Sequence, residues 1–177
     1  MKISCLIILF SGIFMLACND EIKQPEEDYS LYKDAEFIKD IRLNYSDSAV
    51  LKAVVTGPEM WRYKGGEREV FPKGIHATFY NHSDNPSSYL HARKAFRFQR
   101  KKQIILEDHV VLYNLEGDSL FTSQLTWDEK EDKIFTDRFV RLTKRDRVIL
   151  GYGFESTQDF TKGRIKAVEG TWRLDEE

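Results

Sequence analysis

Leu120-Phe121-Thr122-Ser123-Gln124-Leu125-Thr126-Trp127-Asp128, followed after the charged tetrapeptide 129–132 by Lys133-Ile134-Phe135-Thr136-Asp137-Arg138-Phe139-Val140, decides the fold class. Both arms are short, rich in Phe, Thr, Leu, Ile and Val, and never hold helical spacing for three turns, so they read as two strands joined by a turn. The Asp128, Lys130, Asp132 run resembles a calcium loop on the surface only. It lacks the central glycine and the closing bidentate Glu, and reads as a charged turn.

The same two-part unit recurs outward from this stretch. Its first half opens at Leu51-Lys52-Ala53, Leu90-His91-Ala92, Leu120-Phe121-Thr122 and Leu150-Gly151. Its second half reads Gly74-Ile75-His76-Ala77, Asp108-His109-Val110-Val111, Asp137-Arg138-Phe139-Val140 and Gly170-Thr171-Trp172. The small residues Ala53, Ala92, Thr122 and Gly151 lie 39, 30 and 29 positions apart, a period that implies stacked supersecondary units. Four units with the Ile41 to Tyr45 lead-in predict roughly eight or nine strands. Alternation at Ile75, Ala77 and Phe79, and turn clusters such as Lys64-Gly65-Gly66 and Glu116-Gly117-Asp118, agree with that count. A plain sandwich without internal repetition is the alternative.

The N-terminal end has a different grammar. Lys2 precedes an uncharged, mostly apolar run from Ile3 to Ala17, too short for the roughly 20 residues of a spanning helix and typical of a secretory signal. Met15-Leu16-Ala17-Cys18 resembles the bacterial lipobox, in which the cysteine is acylated and becomes the mature N-terminus. Residues 1–17 are therefore expected to be a lipoprotein signal peptide, Cys18 the lipidation site and 18–40 an acidic spacer. Residues 41–177 form the expected all-β domain. More than one acyl chain anchors stably, since each buried methylene contributes about 0.8 kcal/mol.

Composition excludes several function classes. Cys5 falls in the signal and Cys18 would be acylated, which leaves the folded part without a thiol for a disulfide, a nucleophile or a metal. The net charge of -2 offers no global basic field for nucleic acid. Histidines 76, 82, 91 and 109 lack zinc-helix spacing, and no nucleophile elbow, phosphate-cradling glycine loop or dinucleotide fingerprint occurs. No catalytic residue, metal or cofactor is expected.

The strings quoted at the outset resemble the OstA-like repeat of lipopolysaccharide transport proteins. Tyr45-Ser46-Asp47-Ser48, Phe71-Pro72-Lys73-Gly74-Ile75 and Gly151-Tyr152-Gly153-Phe154-Glu155, in that order, are similar to the LptC family of the lipopolysaccharide export machine. The resemblance spans about Ile41 to Leu174. It implies a twisted, open β-jellyroll on the periplasmic side of the inner membrane. It further implies three partners: lipopolysaccharide, the ATP-driven (ABC) export transporter, and a periplasmic bridge protein of similar fold. Many members are anchored by a transmembrane helix; this sequence departs from them in carrying a lipobox.

A sandwich that fails to close offers an apolar slot between its sheets and free edges for a partner. Phe79, Leu90, Phe96, Phe98, Leu112, Leu125 and Phe139 are the candidates for lining such a slot, although the same alternation describes an ordinary core. Gly151 and Gly153, flanking Tyr152, imply close backbone approach or a bend, and are the candidates for a partner-docking edge. Two basic clusters, one from Arg97 through Lys102 and one from Arg138 to Arg147, are candidates for meeting headgroup phosphates, or are solvated hairpin tips. The competing reading is a lipid-anchored scaffold module built on a closed sandwich, with no lipid cargo.

Overall fold

The computed structural model describes residues 32–81, 83 and 85–174. The expected signal peptide, the expected lipidation site Cys18, the first part of the expected spacer and His82 lie outside the described residues. The chain forms one antiparallel sheet of eleven strands: β1 (Ala35–Asp47), β2 (Val50–Tyr63), β3 (Arg68–Phe71), β4 (Ile75–Tyr80), β5 (Pro86–Ala92), β6 (Lys94–Phe98), β7 (Gln103–Asn114), β8 (Ser119–Asp128), β9 (Lys133–Lys144), β10 (Arg147–Thr157) and β11 (Arg164–Arg173).

The topology is simpler than eleven strands suggest. β2 pairs with β3 at Trp61↔Val70 and with β4 at Ala53↔Phe79, so β3 and β4 are two halves of one broken pass. β7 pairs likewise with β6 at Phe96↔Ile105 and with β5 at Leu90↔Leu112. The chain therefore runs as nine successive antiparallel passes, each hydrogen-bonded to the next. Among the described residues β1 pairs only with β2 and β11 only with β10, so the sheet is open at both ends. This is the all-β architecture expected from the repeated two-stranded units, and it agrees with the open jellyroll that the family resemblance implies.

A line of irregularities crosses the passes at matching positions. Asp40 has φ 49 in β1; Gly74, with φ 81, separates β3 from β4; Arg93 separates β5 from β6; Asp108 and His109 have φ 60 and 50 in β7; Gly153 has φ 70 in β10. The β8–β9 ladder skips from Thr122↔Val140 to Thr126↔Phe135, and the β10–β11 register shifts between Leu150 and Gly151. The line is continuous in space: the Arg93 amide donates to the Asp108 carbonyl at 2.9 Å, and a Cβ on Gly74 would lie 2.3 Å from the Ala92 carbonyl oxygen. Bulges and left-handed residues bend and twist a strand. Aligned across the sheet, they form a crease.

Across this crease the sheet turns back on itself. Trp127 of β8 meets Phe79 of β4 edge-on with centroids 4.9 Å apart, and Tyr45 of β1 at 5.3 Å. The Ser88 hydroxyl of β5 donates to the carbonyl of Gln158, just beyond β10, at 2.6 Å. Between the halves lies one apolar cluster from Ile41 through Phe160, fed by every second residue of most passes as a period of two requires.

β1 begins at Ala35, inside the segment expected to be spacer. Its burial does not alternate there; what orders it is a full ladder to β2, from Ala35↔Tyr63 through Ile41↔Gly57. Backbone pairing, invisible in composition, sets that boundary.

Candidate functional site

The seven candidates for an apolar slot separate into two groups. Phe79, Leu90, Leu112 and Leu125 lie in the cluster between the sheet halves at 0 to 1% exposure, with Phe79 edge-on to Trp127 and Leu90 opposite Leu112. With the halves closed as they are, a ligand reaches these four only if the halves part. Phe96 and Phe98 are half-buried on the opposite face of β6, where the Arg68 guanidinium stands 5.2 Å from the Phe96 ring and the Lys101 ammonium 5.8 Å from that of Phe98. Phe139 is exposed on the outer face of β9, edge-on to Tyr152 at 5.3 Å. A break at Arg93 and a ladder skip at residues 136–139 shift the parity, so simple alternation does not predict the facing of these three rings.

The cluster is least sealed at the sheet's ends. Among the partly buried apolar residues that border it, Ile38, Leu43 and Tyr45 belong to edge strand β1 and Ile165 to edge strand β11. Gly151 and Gly153 are not on a free edge: β10 is paired on both sides, by β9 and β11. A Cβ on Gly151 would lie 2.2 Å from the Ala167 carbonyl oxygen, which makes this glycine a close-approach position within the sheet. The unpaired rim at that end is β11.

The basic clusters are only partly neutralised. Arg97 points inward and grips Glu129 with two bonds of 2.7 and 3.1 Å; Arg100 pairs with Glu67, and Lys144 with Asp118 at 2.6 Å. Arg138 donates to Gln124, and Arg141 stacks on Phe121.

Arg97 leads to a feature that the sequence did not reveal. A cavity of about 710 Å³ opens where the free side of β1, from Arg42 to Asp47, faces the β8–β9 turn. Its wall includes Glu69, 1% exposed and held by Arg62 at 2.9 Å, Arg97 at 3.3 Å and Gln99 at 3.1 Å. The Arg97 guanidinium also lies 4.9 Å from the Tyr45 ring. Burial pushes the Tyr45 phenol well above its usual range, against the opposing pull of Arg97, so the group remains a hydrogen-bond donor. These residues come from positions 42 to 158 of the chain, so no local spacing could have joined them. The one local hint is Glu69, a carboxylate placed directly before Val70 and Phe71.

A model of the family described as lipopolysaccharide-assembly, LptC-related, matches residues 4–166, most of the chain. The chain belongs to the LptC-related family. No curated protein matches it at a significant level. As an LptC-related protein it takes part in lipopolysaccharide transport in the cell envelope, with lipopolysaccharide and its transport system as partners. The family is one of transport proteins, and its β-rich architecture agrees with the nine-pass sheet.

Proposed function

We propose that this protein is a non-enzymatic carrier on the periplasmic face of the inner membrane. Tethered by acylated Cys18, it receives lipopolysaccharide from the ABC export transporter and passes it to a periplasmic bridge protein of similar fold. The observation that carries this reading, beyond family membership, is one continuous apolar interior bordered by two edge strands, each paired on one side only among the described residues. At about 25 cal/mol per Å², a few hundred Å² of acyl chain left in water costs several kcal/mol, so a carrier needs an interior that the chains can enter. β1 and β11 offer both the loosest border of that interior and free backbone groups for pairing with the next protein.

The tight packing of Phe79, Leu90, Leu112 and Leu125 favours the second reading, a lipid-anchored scaffold without cargo. Photo-crosslinking separates the two. A photoreactive residue at Leu125 inside the sheet, and another at Phe96 outside it, are compared in cells exporting lipopolysaccharide. Adducts at position 125 with few at 96 are expected for the carrier; no adduct at either position in an active system leaves the scaffold.

A further inference from the structure

The cavity beside β1 is polar where the rest of the interior is apolar. Six cationic side chains and four carboxylates line it, an excess of positive charge in a chain whose net charge is -2. Arg62 and Arg97 are committed to Glu69 and Glu129, and Lys52 pairs with Asp132 at 3.2 Å. Arg42 and Lys102, both exposed, make no ion pair among the described residues.

Three further side chains of the wall hold polar atoms with no protein partner: the Tyr45 hydroxyl, the Trp127 indole Nε1–H and the Gln158 Oε1. Trp127 is 1% exposed and Gln158 7%, so bulk water does not satisfy them. Buried polar groups in folded proteins are almost always partnered, and three orphans around one space point to a polar occupant. Two are donors and one is an acceptor. Two donors with uncommitted cations suit an oxyanion, and an amide oxygen beside them suits a sugar hydroxyl. The volume lies within the range of small-ligand sites.

We infer that this cavity binds a phosphorylated sugar, whether borne on a lipid headgroup or free in solution: Arg42 and Lys102 hold the phosphate, with Tyr45, Trp127 and Gln158 on the sugar. The inference deepens the carrier reading and rests on it only for the lipid source of the headgroup. Acyl chains and headgroup would then occupy different places, the chains between the sheet halves and the phosphorylated sugar beside β1.

The test uses the full-length chain, solubilised in detergent, and reads the Trp127 indole N–H resonance, assigned by Trp127→Phe. Glucosamine 1-phosphate should shift that resonance saturably, and uncharged glucosamine should not. The double variant Arg42→Gln/Lys102→Gln, at exposed positions, should weaken binding at least tenfold, and Arg42→Lys/Lys102→Arg should restore most of it. Competition by lipopolysaccharide assigns the lipid headgroup as the source; a lack of competition assigns the free sugar phosphate, and either result supports the site. An unmoved Trp127 resonance, an equal shift with glucosamine, or binding indifferent to the double variant overturns it. A fluorescent fatty acid read in parallel separates the two ideas. Its failure to bind while the sugar phosphate still does counts against the carrier and supports a separate headgroup site.

Discussion

Glu69 is almost fully buried, and three donors converge on it. Removing one partner of a buried, hydrogen-bonded ion pair typically costs about 3–5 kcal/mol, because the other charge stays desolvated. Glu69→Ala is expected to lose stability on that scale in urea unfolding. Glu67→Ala, which removes an exposed pair with Arg100, should lose less than about 1 kcal/mol. Similar losses in both variants would refute the assigned difference. His91 makes the residue-scale case for pH. Burial, then the charge of the stacked His76 ring 4.3 Å away, holds its imidazole below the ordinary 6.5. Its folded value lies under its unfolded one, so on acidification through 6.5 the unfolded chain takes up a proton first. Stability therefore falls as pH drops below 6.5 and levels off beneath the folded value. His91→Gln should flatten that slope between about pH 5 and 7, as read by denaturant midpoints; an unaltered slope would sink the assignment. Beyond the carboxylate set directly before Val70 and Phe71, none of this was legible in the sequence, where His91 is an ordinary member of a strand-like run and the partners of both residues lie on other passes.

At the scale of elements the sequence said more. The repeated second signatures at Gly74, Asp108 and Asp137 mark the places where β4 begins, where β7 turns left-handed and where the β8–β9 ladder skips. Their recurrence was readable; their meaning as a crease was not, because a bend line is a relation between neighbouring registers rather than a property of one segment. Two glycines test it. Gly74 combines φ 81 with a carbonyl 2.3 Å from any added Cβ, whereas Gly117 has φ 90 with nothing within 4 Å. Left-handed backbone alone costs a non-glycine residue about 1–3 kcal/mol. Gly117→Ala is expected to lose only that amount, and Gly74→Ala distinctly more, in equilibrium unfolding. Equal losses would mean that the passes do not meet tightly at the bend. Gly153 shows where pattern reading stops: a flanking pair of glycines signalled close approach, but only the pairing of β10 on both sides shows that the approach is internal to the sheet.

For the whole molecule, the all-β class and the count of passes were legible because alternation and turn clusters are local signals. The division between filled interior and outer face was not, since every break in a pass resets which residues face inward. The tether is a matter of this scale too. Cys18→Ala is expected to move the protein from the membrane to the soluble periplasmic fraction, read by fractionation. Undiminished membrane association would remove the lipid anchor from the proposed carrier.

The crease bears on how such a chain avoids aggregation. Passes of 10 to 14 residues with open edges would be templates for fibril growth if they were flat. A misfolded neighbour seeking to stack along β1 or β11 meets a left-handed kink or a register shift partway along either rim. The unbroken run that amyloid growth requires is never presented, so the open rims invite a matched partner while frustrating indefinite self-addition.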